Sequence, residues 1–319
     1  MKLAILDDYQ RVALDMADWS PLAGAVEITA FDRHLGGPDA VAEALRDFEI
    51  VGIMRERTPF PAALLERLPK LRLLVTTGRR NDAVDVEAAG RLGITVCGTA
   101  SPGHATAELA MGLVLALARG LVVEAGSMWA GGWQVGLGRD LGGATLGVLG
   151  LGRLGSHVAG LGRAFGMDVI AWSQNLSGER AAEVGVRRVA KDGLFAGADF
   201  VTIHLRLSPR TRGLVGAREL ALMRPDAYLV NTSRGPVVDE AALIDALGRR
   251  VIAGAALDVY DAEPLPAGHP LRRVPNLLLT PHIGYVTRET YRVFYGEMAE
   301  VIQAFLAGQP YNLLTNGGP

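Results

Sequence analysis

Twice along its length this chain alternates short apolar, β-favouring runs with amphipathic helical stretches. The first series holds KLAILDD (residues 2–8), VEITAFD (26–32), IVGIM (50–54), LRLLVTTG (71–78) and ITVCG (94–98). Helical segments lie between its later members, among them PDAVAEALRDFE (38–49), FPAALLERLPK (60–70) and DVEAAGRLG (85–93). A second series starts near residue 144 with TLGVLG, DVIAWS, VRRVA, DFVTIHL, YLVNTS, IAGAALDV and LLLTPH, the last ending at His282. Strands that alternate with helices cannot pair through tight hairpins, so they imply parallel sheets in an α/β protein. A length of 319 residues suits two domains or one large one.

Between the two series, Ala105 to Val123 reads as one long helix, apolar nearly all round. A helix without a polar face is expected to be buried on every side, here between domains or between subunits, and this predicts a homodimer. The stretch WAGGWQVGLGRDLGG (129–143) reads as a glycine-rich surface loop, and a final helix is expected from Arg288 to Ala307. The last few residues look unstructured. The most apolar run, Leu109 to Ala118, stops at Arg119 and is well short of a membrane span.

Composition narrows the partners. The formal net charge of -2 gives no electrostatic case for nucleic acid or an anionic membrane. Cys97 is the single cysteine, which excludes an intramolecular disulfide and a cysteine-rich metal site, and no metal is expected. The opening MKLAILDDYQ meets Asp7 and Asp8 too soon for a signal peptide. A cytoplasmic location is expected.

Gly150, Gly152 and Gly155 match G-x-G-x-x-G, a spacing that 40 glycines make cheap. Its context carries the weight: it follows the strand TLGVL and opens a helix with Leu154, Val158, Leu161 and Phe165 on one face. In a dinucleotide-binding βαβ unit the first glycine permits the turn, the second admits a pyrophosphate, and the third lets the helix pack close. The pyrophosphate would rest on N–H groups at the helix N-terminus. About twenty residues on, NAD sites place an acid against the ribose 2′-hydroxyl. This chain has Ser173, Gln174 and Asn175 there, with Arg180 farther along, so NAD and NADP both stay open.

A lone histidine after a strand, such as His282, is more often structural than catalytic. Its company changes that reading. TLGVLGLGRLG, LVNTSRGPVVDEAALIDAL, GAALDVYDAEP and LTPHIG occur in this order, and the chain is similar in them to the D-isomer-specific 2-hydroxyacid dehydrogenases. The resemblance implies two doubly wound, Rossmann-like domains, with the cofactor domain (101–284) inserted into a discontinuous substrate domain (1–100 and 285–319). It implies hydride transfer between NAD or NADP and a small 2-hydroxy or 2-oxo acid. It also places the catalytic arginine at Arg234, the glutamate at Glu263 and the acid/base histidine at His282.

Along the cofactor the resemblance sets Gly150, Gly152, Arg153, Leu154, Gly155, Ser173, Gln174, His204, Leu205, Thr232, Ser233, Arg234, Asp258, His282 and Gly284. Asp258 matches the aspartate that holds the nicotinamide amide. The chemistry is coherent. An imidazolium can donate a proton to the carbonyl oxygen, a carboxylate beside it stabilises the charged ring, and a forked guanidinium can grip a carboxylate.

The chain departs from the family where substrate is chosen. The usual Gly-x-Gly-x-Asp-Asn loop keeps Gly78 but carries Arg80 at the second glycine and Ala83 at the asparagine. Arg79 and Arg80 either grip a second anionic group or are solvated surface charges. Arg55 aligns with an arginine that some relatives use on substrate, and Tyr285 replaces a glycine after the histidine, which narrows the pocket. Two other readings stay open at this stage: a non-enzymatic NAD-sensing binding protein, and a formate- or phosphite-type dehydrogenase.

Overall fold

A computed structural model describes residues 1–314, so the expectation for the last few residues lies outside the described residues. The chain divides into two compact units. One is Met1–Pro102 with the segment that starts at Val286, and the other is Gly103–Tyr285.

The first unit contains strands β1 (Lys2–Ile5), β2 (Glu27–Ala30), β3 (Ile50–Ile53), β4 (Leu73–Thr76) and β5 (Thr95–Gly98). They are parallel throughout, in the order β2-β1-β3-β4-β5. Strands covered on both faces read as unbroken apolar runs, and every residue of β3 and β4 is buried. Edge strand β2 has no buried residue. Asp85 caps the helix Val86–Arg91 by accepting the Ala88 N–H at 2.9 Å. The long helix Arg288–Leu306 is capped by Thr287 and buries Tyr291, Phe294, Tyr295, Met298, Val301 and Ile302 along one stripe. Met298 lies so near β3 that a Cβ on Gly52 would be 2.5 Å from its sulfur. Glycine is required there by packing.

The second unit contains β6 (Thr145–Leu149), β7 (Asp168–Trp172), β8 (Arg187–Arg188), β9 (Phe200–Ile203), β10 (Tyr228–Asn231), β11 (Gly254–Leu257) and β12 (Leu277–Leu279). All are parallel, in the order β12-β11-β10-β9-β6-β7-β8. The chain starts mid-sheet at β6, winds outward to β8, then crosses to β9 and winds the other way. That is the doubly wound topology, with its switch between β6 and β9. Alternate residues of each strand feed different cores, as a period of two requires: Leu146, Val148, Phe200 and Val230 join one cluster, while Leu149, Val201 and Leu229 join the other.

The expectation of a single helix from Ala105 to Val123 needs correction. Helix Ala105–Arg119 ends at Gly120, whose φ of 59° is left-handed, and a second helix, Leu121–Trp129, leaves at a bend of 64°. A glycine in this conformation terminates a helix because it carries no Cβ penalty. The first helix buries Ala107, Ala110, Met111, Val114 and Ala118 in the core of its own unit. The second buries nothing, and Leu121, Val122, Val123 and Trp129 are exposed. Among the described residues no single helix is long and apolar enough to cross a membrane.

Candidate active site

In a parallel sheet all carboxyl ends share one edge, so loops after different strands converge there. Gly150 follows β6 with a φ of 106°. A Cβ on it would stand 2.7 Å from the His204 carbonyl oxygen and 2.9 Å from Leu205. His204 and Leu205 therefore leave β9 directly against the glycine turn. Gly152 caps the helix Arg153–Ala164 without a side-chain hydrogen bond, and nothing lies within 4 Å of its absent Cβ. Gly155 is pressed against the carbonyl oxygen of Gly150. The first helical turn carries no acid. Arg153 is exposed, with its guanidinium beside Gly103, and Leu154 is partly buried.

This turn fits a dinucleotide phosphate: an open glycine face, uncapped N–H groups and a favourable helix dipole. Nearby, Thr232 Oγ1 and His204 Nδ1 are buried, with no hydrogen-bond partner among the described residues. Buried polar atoms are normally satisfied, so both suit a bound group. His204 Nε2 pairs with Thr202 Oγ1 at 2.9 Å, and burial pushes its imidazole down to about 4. Ser173 and Gln174 follow β7, with Ser173 partly buried and Gln174 exposed.

The loop after β10 is built by buried Asn231, a residue the sequence reading missed. Its Oδ1 accepts from Ser233 N and Oγ, and its Nδ2 donates to the Arg234 carbonyl. This sets Arg234 half-buried, with Nη1 donating to the Ser233 carbonyl at 2.7 Å.

His282 adopts a left-handed φ of 53°, an uncommon conformation for a non-glycine residue. The turn is held by Asp258, which is fully buried and accepts three hydrogen bonds: Thr280 Oγ1 at 2.6 Å, Ile283 N at 2.8 Å and Gly284 N at 2.8 Å. Burial pushes the Asp258 carboxyl up, against the lowering pull of these bonds and of His282. Tyr260 adds a clamp, its hydroxyl donating to the Leu257 and Thr280 carbonyls. The bonds that Asp258 and Tyr260 make to Thr280 are not legible in a motif, because they join residues 22 and 20 positions apart.

His282 Nδ1 lies 2.5 Å from Glu263 Oε2, while Glu263 Oε1 accepts the Tyr260 N–H at 2.9 Å. Burial raises the Glu263 carboxyl, but the His282 bond and charge, the Tyr260 N–H and the Arg234 charge outweigh it and hold it below its ordinary range. The influence of Arg234 on this carboxyl joins three of the expected residues in one electrostatic group.

In the first unit, Arg55 follows β3 and Gly78 follows the adjacent β4. Arg55 is also left-handed, at a φ of 54°, and its guanidinium fills the space of a Gly78 Cβ. Its N–H donates to Thr77 Oγ1 and its Nη1 to the Thr77 carbonyl. Arg79 and Arg80 are exposed. Buried Asn81 pins this loop through Arg55 O at 2.6 Å, Thr76 Oγ1 at 2.8 Å and the Ala83 N–H at 2.9 Å. An asparagine thus anchors the loop two positions before the place where the family pattern puts one.

A sheet wound in this order, with a glycine turn at its switch and an imidazole–carboxylate pair on the same edge, defines a dinucleotide-binding fold equipped for proton transfer. Residues 111–284 match the model of the D-isomer specific 2-hydroxyacid dehydrogenase NAD binding domain. A glyoxylate reductase of Aeropyrum pernix is 43% identical over 264 residues, covering 79% of this chain and 78% of that protein. A D-3-phosphoglycerate dehydrogenase of Synechocystis is 34% identical over 319 residues, and the match spans only 56% of its length. The crystal structure of a phosphoglycerate oxidoreductase from Vibrio cholerae superposes with a TM-score of 0.91 at 38% identity, covering 97% of this chain and 99% of that one. The chain belongs to the D-isomer specific 2-hydroxyacid dehydrogenase family. It is a nicotinamide-dependent oxidoreductase of hydroxy acids.

Proposed function

We propose that this protein reduces a small 2-oxo acid to its 2-hydroxy acid, with His282 as proton donor. The observation that carries this reading is the His282–Glu263 pair at 2.5 Å on the carboxyl edge of the second sheet. The bound nicotinamide supplies the hydride. With Nδ1 held by the carboxylate, Nε2 is the ring nitrogen that delivers the proton to the substrate oxygen. Glu263 stabilises the imidazolium and fixes its orientation. Arg234, permanently charged and forked, holds the substrate carboxylate and polarises the adjacent carbonyl. Asp258 keeps the His282 turn in its left-handed conformation, and its buried carboxylate is the candidate partner for the nicotinamide amide.

For the cofactor, Gly150, Gly152, Arg153, Leu154 and Gly155 hold the pyrophosphate, and His204, Leu205, Thr232, Ser233 and Gly284 line its course. Ser173 and Gln174 put no carboxylate beside the ribose, so either NAD or NADP is accommodated. In the first unit, Arg55, Gly78, Arg79 and Arg80 present three guanidinium groups and backbone to an anion. Tyr285 is the remaining substrate-side candidate.

The protein acts in the cytoplasm as a homodimer. Its single cysteine is buried, in keeping with a reducing compartment. Between Leu121 and Leu137 several large apolar side chains are exposed, among them Trp129 at 86% and Leu137 at 102%, and a second copy would cover them. The names of the relatives favour glyoxylate among the candidate acids.

The test is NADH and NADPH oxidation with glyoxylate, hydroxypyruvate, pyruvate, phenylpyruvate and 2-oxoglutarate, with formate and phosphite run in the oxidising direction. Turnover of a 2-oxo acid is expected. Cofactor binding without turnover of any acid would replace the enzyme with a sensor, and turnover of formate or phosphite alone would change the substrate class.

A further inference from the structure

Tyr285 is the last residue of the second unit and an aromatic neighbour of His282. The two ring centroids are 5.5 Å apart and the rings stand at 71°, an edge-to-face pairing. The tyrosine is partly buried, and the backbone before it is anchored from two sides. Gly284 N–H donates to Asp258 Oδ2 at 2.8 Å, and the Gly284 carbonyl accepts the Thr106 hydroxyl at 3.0 Å. A Cβ on Gly284 would lie 3.2 Å from both Asp258 and Thr106, so this segment is already in close contact with its neighbours. Tyr285 therefore meets the imidazole from a fixed position.

The bond from Nδ1 to Glu263 fixes one point of the His282 imidazole, and the edge-to-face contact with Tyr285 adds a constraint on the ring itself. The same ring also takes up room. A 2-oxo acid whose carbonyl oxygen meets Nε2 carries its C3 substituent only one carbon away from that carbonyl. Bulk on C3 then competes with whatever lies along the flank of the imidazole.

We propose that Tyr285 is a positioning and specificity-determining residue, holding the His282 imidazole upright and occupying one flank, so that acids with little or nothing on C3 are favoured over aryl 2-oxo acids. This rests on the reading of His282 as proton donor, and it adds the size class of the substrate. The aromatic ring is the active feature, and the hydroxyl is not needed for either effect.

The test compares Tyr285→Phe, Tyr285→Ala and Tyr285→Leu in the full-length protein, with glyoxylate and phenylpyruvate as substrates and NADH binding followed by fluorescence. Tyr285→Phe should stay within about threefold of the parent in kcat and in selectivity. Tyr285→Ala should lose roughly tenfold or more in kcat on glyoxylate, with KM changing less than kcat and NADH affinity retained. Its ratio of kcat/KM for phenylpyruvate over glyoxylate should rise by about tenfold or more. Tyr285→Leu is read in the same way should the alanine variant not fold. Unchanged kcat and selectivity in both truncated variants would overturn the proposal, as would a phenylalanine variant as impaired as the alanine one. Failure of the underlying reading has a different signature: the parent turns over no 2-oxo acid, or His282→Asn remains fully active.

Discussion

The carbonyl oxygen of Gly150 occupies the space that a Cβ on Gly155 would need. The first and third glycines of the motif are therefore in mutual contact, and the helix they join cannot approach the turn with any larger residue. Gly155→Ala should weaken NADH or NADPH binding by roughly tenfold or more and lower thermal stability. Gly160 in the same helix has nothing within 4 Å of its absent Cβ, so Gly160→Ala should leave binding intact and stabilise by up to about 1 kcal/mol. Fluorescence titration and thermal melts of the two variants test the contrast, and equal behaviour would refute it.

Replacing His282 with asparagine keeps a polar side chain but removes the proton donor. A fall in kcat of about a hundredfold or more is expected, with cofactor affinity unchanged. Steady-state kinetics paired with cofactor titration separates this from a folding defect.

Glu263 is held below its ordinary range chiefly by His282, against the opposing effect of burial. Interaction between two sites is reciprocal, so the carboxylate favours the charged imidazole. Reduction requires that charge and declines as pH rises. In Glu263→Gln the decline should begin at lower pH than in the parent. A pH profile of kcat/KM that overlays the parent's would show that the carboxylate has no such part.

Burial lowers the His204 imidazole from 6.5 to about 4. Below pH 6.5 the unfolded chain takes up a proton that the folded one refuses. Stability present above pH 6.5 is therefore lost as pH falls towards about 4, by at most about 3 kcal/mol from this group. Urea unfolding midpoints at pH 7 and pH 5 should differ less in His204→Asn than in the parent.

The exposed apolar side chains on Leu121–Trp129 and the loop after it predict self-association. Trp129→Glu together with Leu137→Glu should convert a dimer to a monomer in light scattering. A parent that is monomeric at every concentration would remove the dimer.

The central strands were legible as apolar runs, because parallel strands covered on both faces leave no polar alternation to confuse with loops. The edge strands β2 and β8 lack that cover, and β8 is the exposed pair Arg187–Arg188. The helix break was harder to read. Gly120 follows Arg119 inside an apolar stretch, and the periodicity runs through it unbroken; only the left-handed conformation shows that the helix stops there. The proximity of Glu263 to His282 was anticipated from motif order. The hold of Asp258 on Thr280, Ile283 and Gly284 was not, since those bonds depend on two loops meeting in space, and the local turn that Asn231 makes with Ser233 carries no motif of its own. Asn81 shows the same limit, because one position in the expected pattern was vacated while another supplied the anchor.

The helix Arg288–Leu306 belongs to the same unit as residues 1–102, yet it is made after the whole of Gly103–Tyr285. During synthesis the amino-terminal sheet must emerge without the helix that will pack on Gly52, while the intervening unit can complete its own sheet first. A ribosome-stalled chain with residue 286 followed by a linker long enough to clear the exit tunnel should thus protect the later-made sheet from protease and leave the earlier-made one open to cleavage.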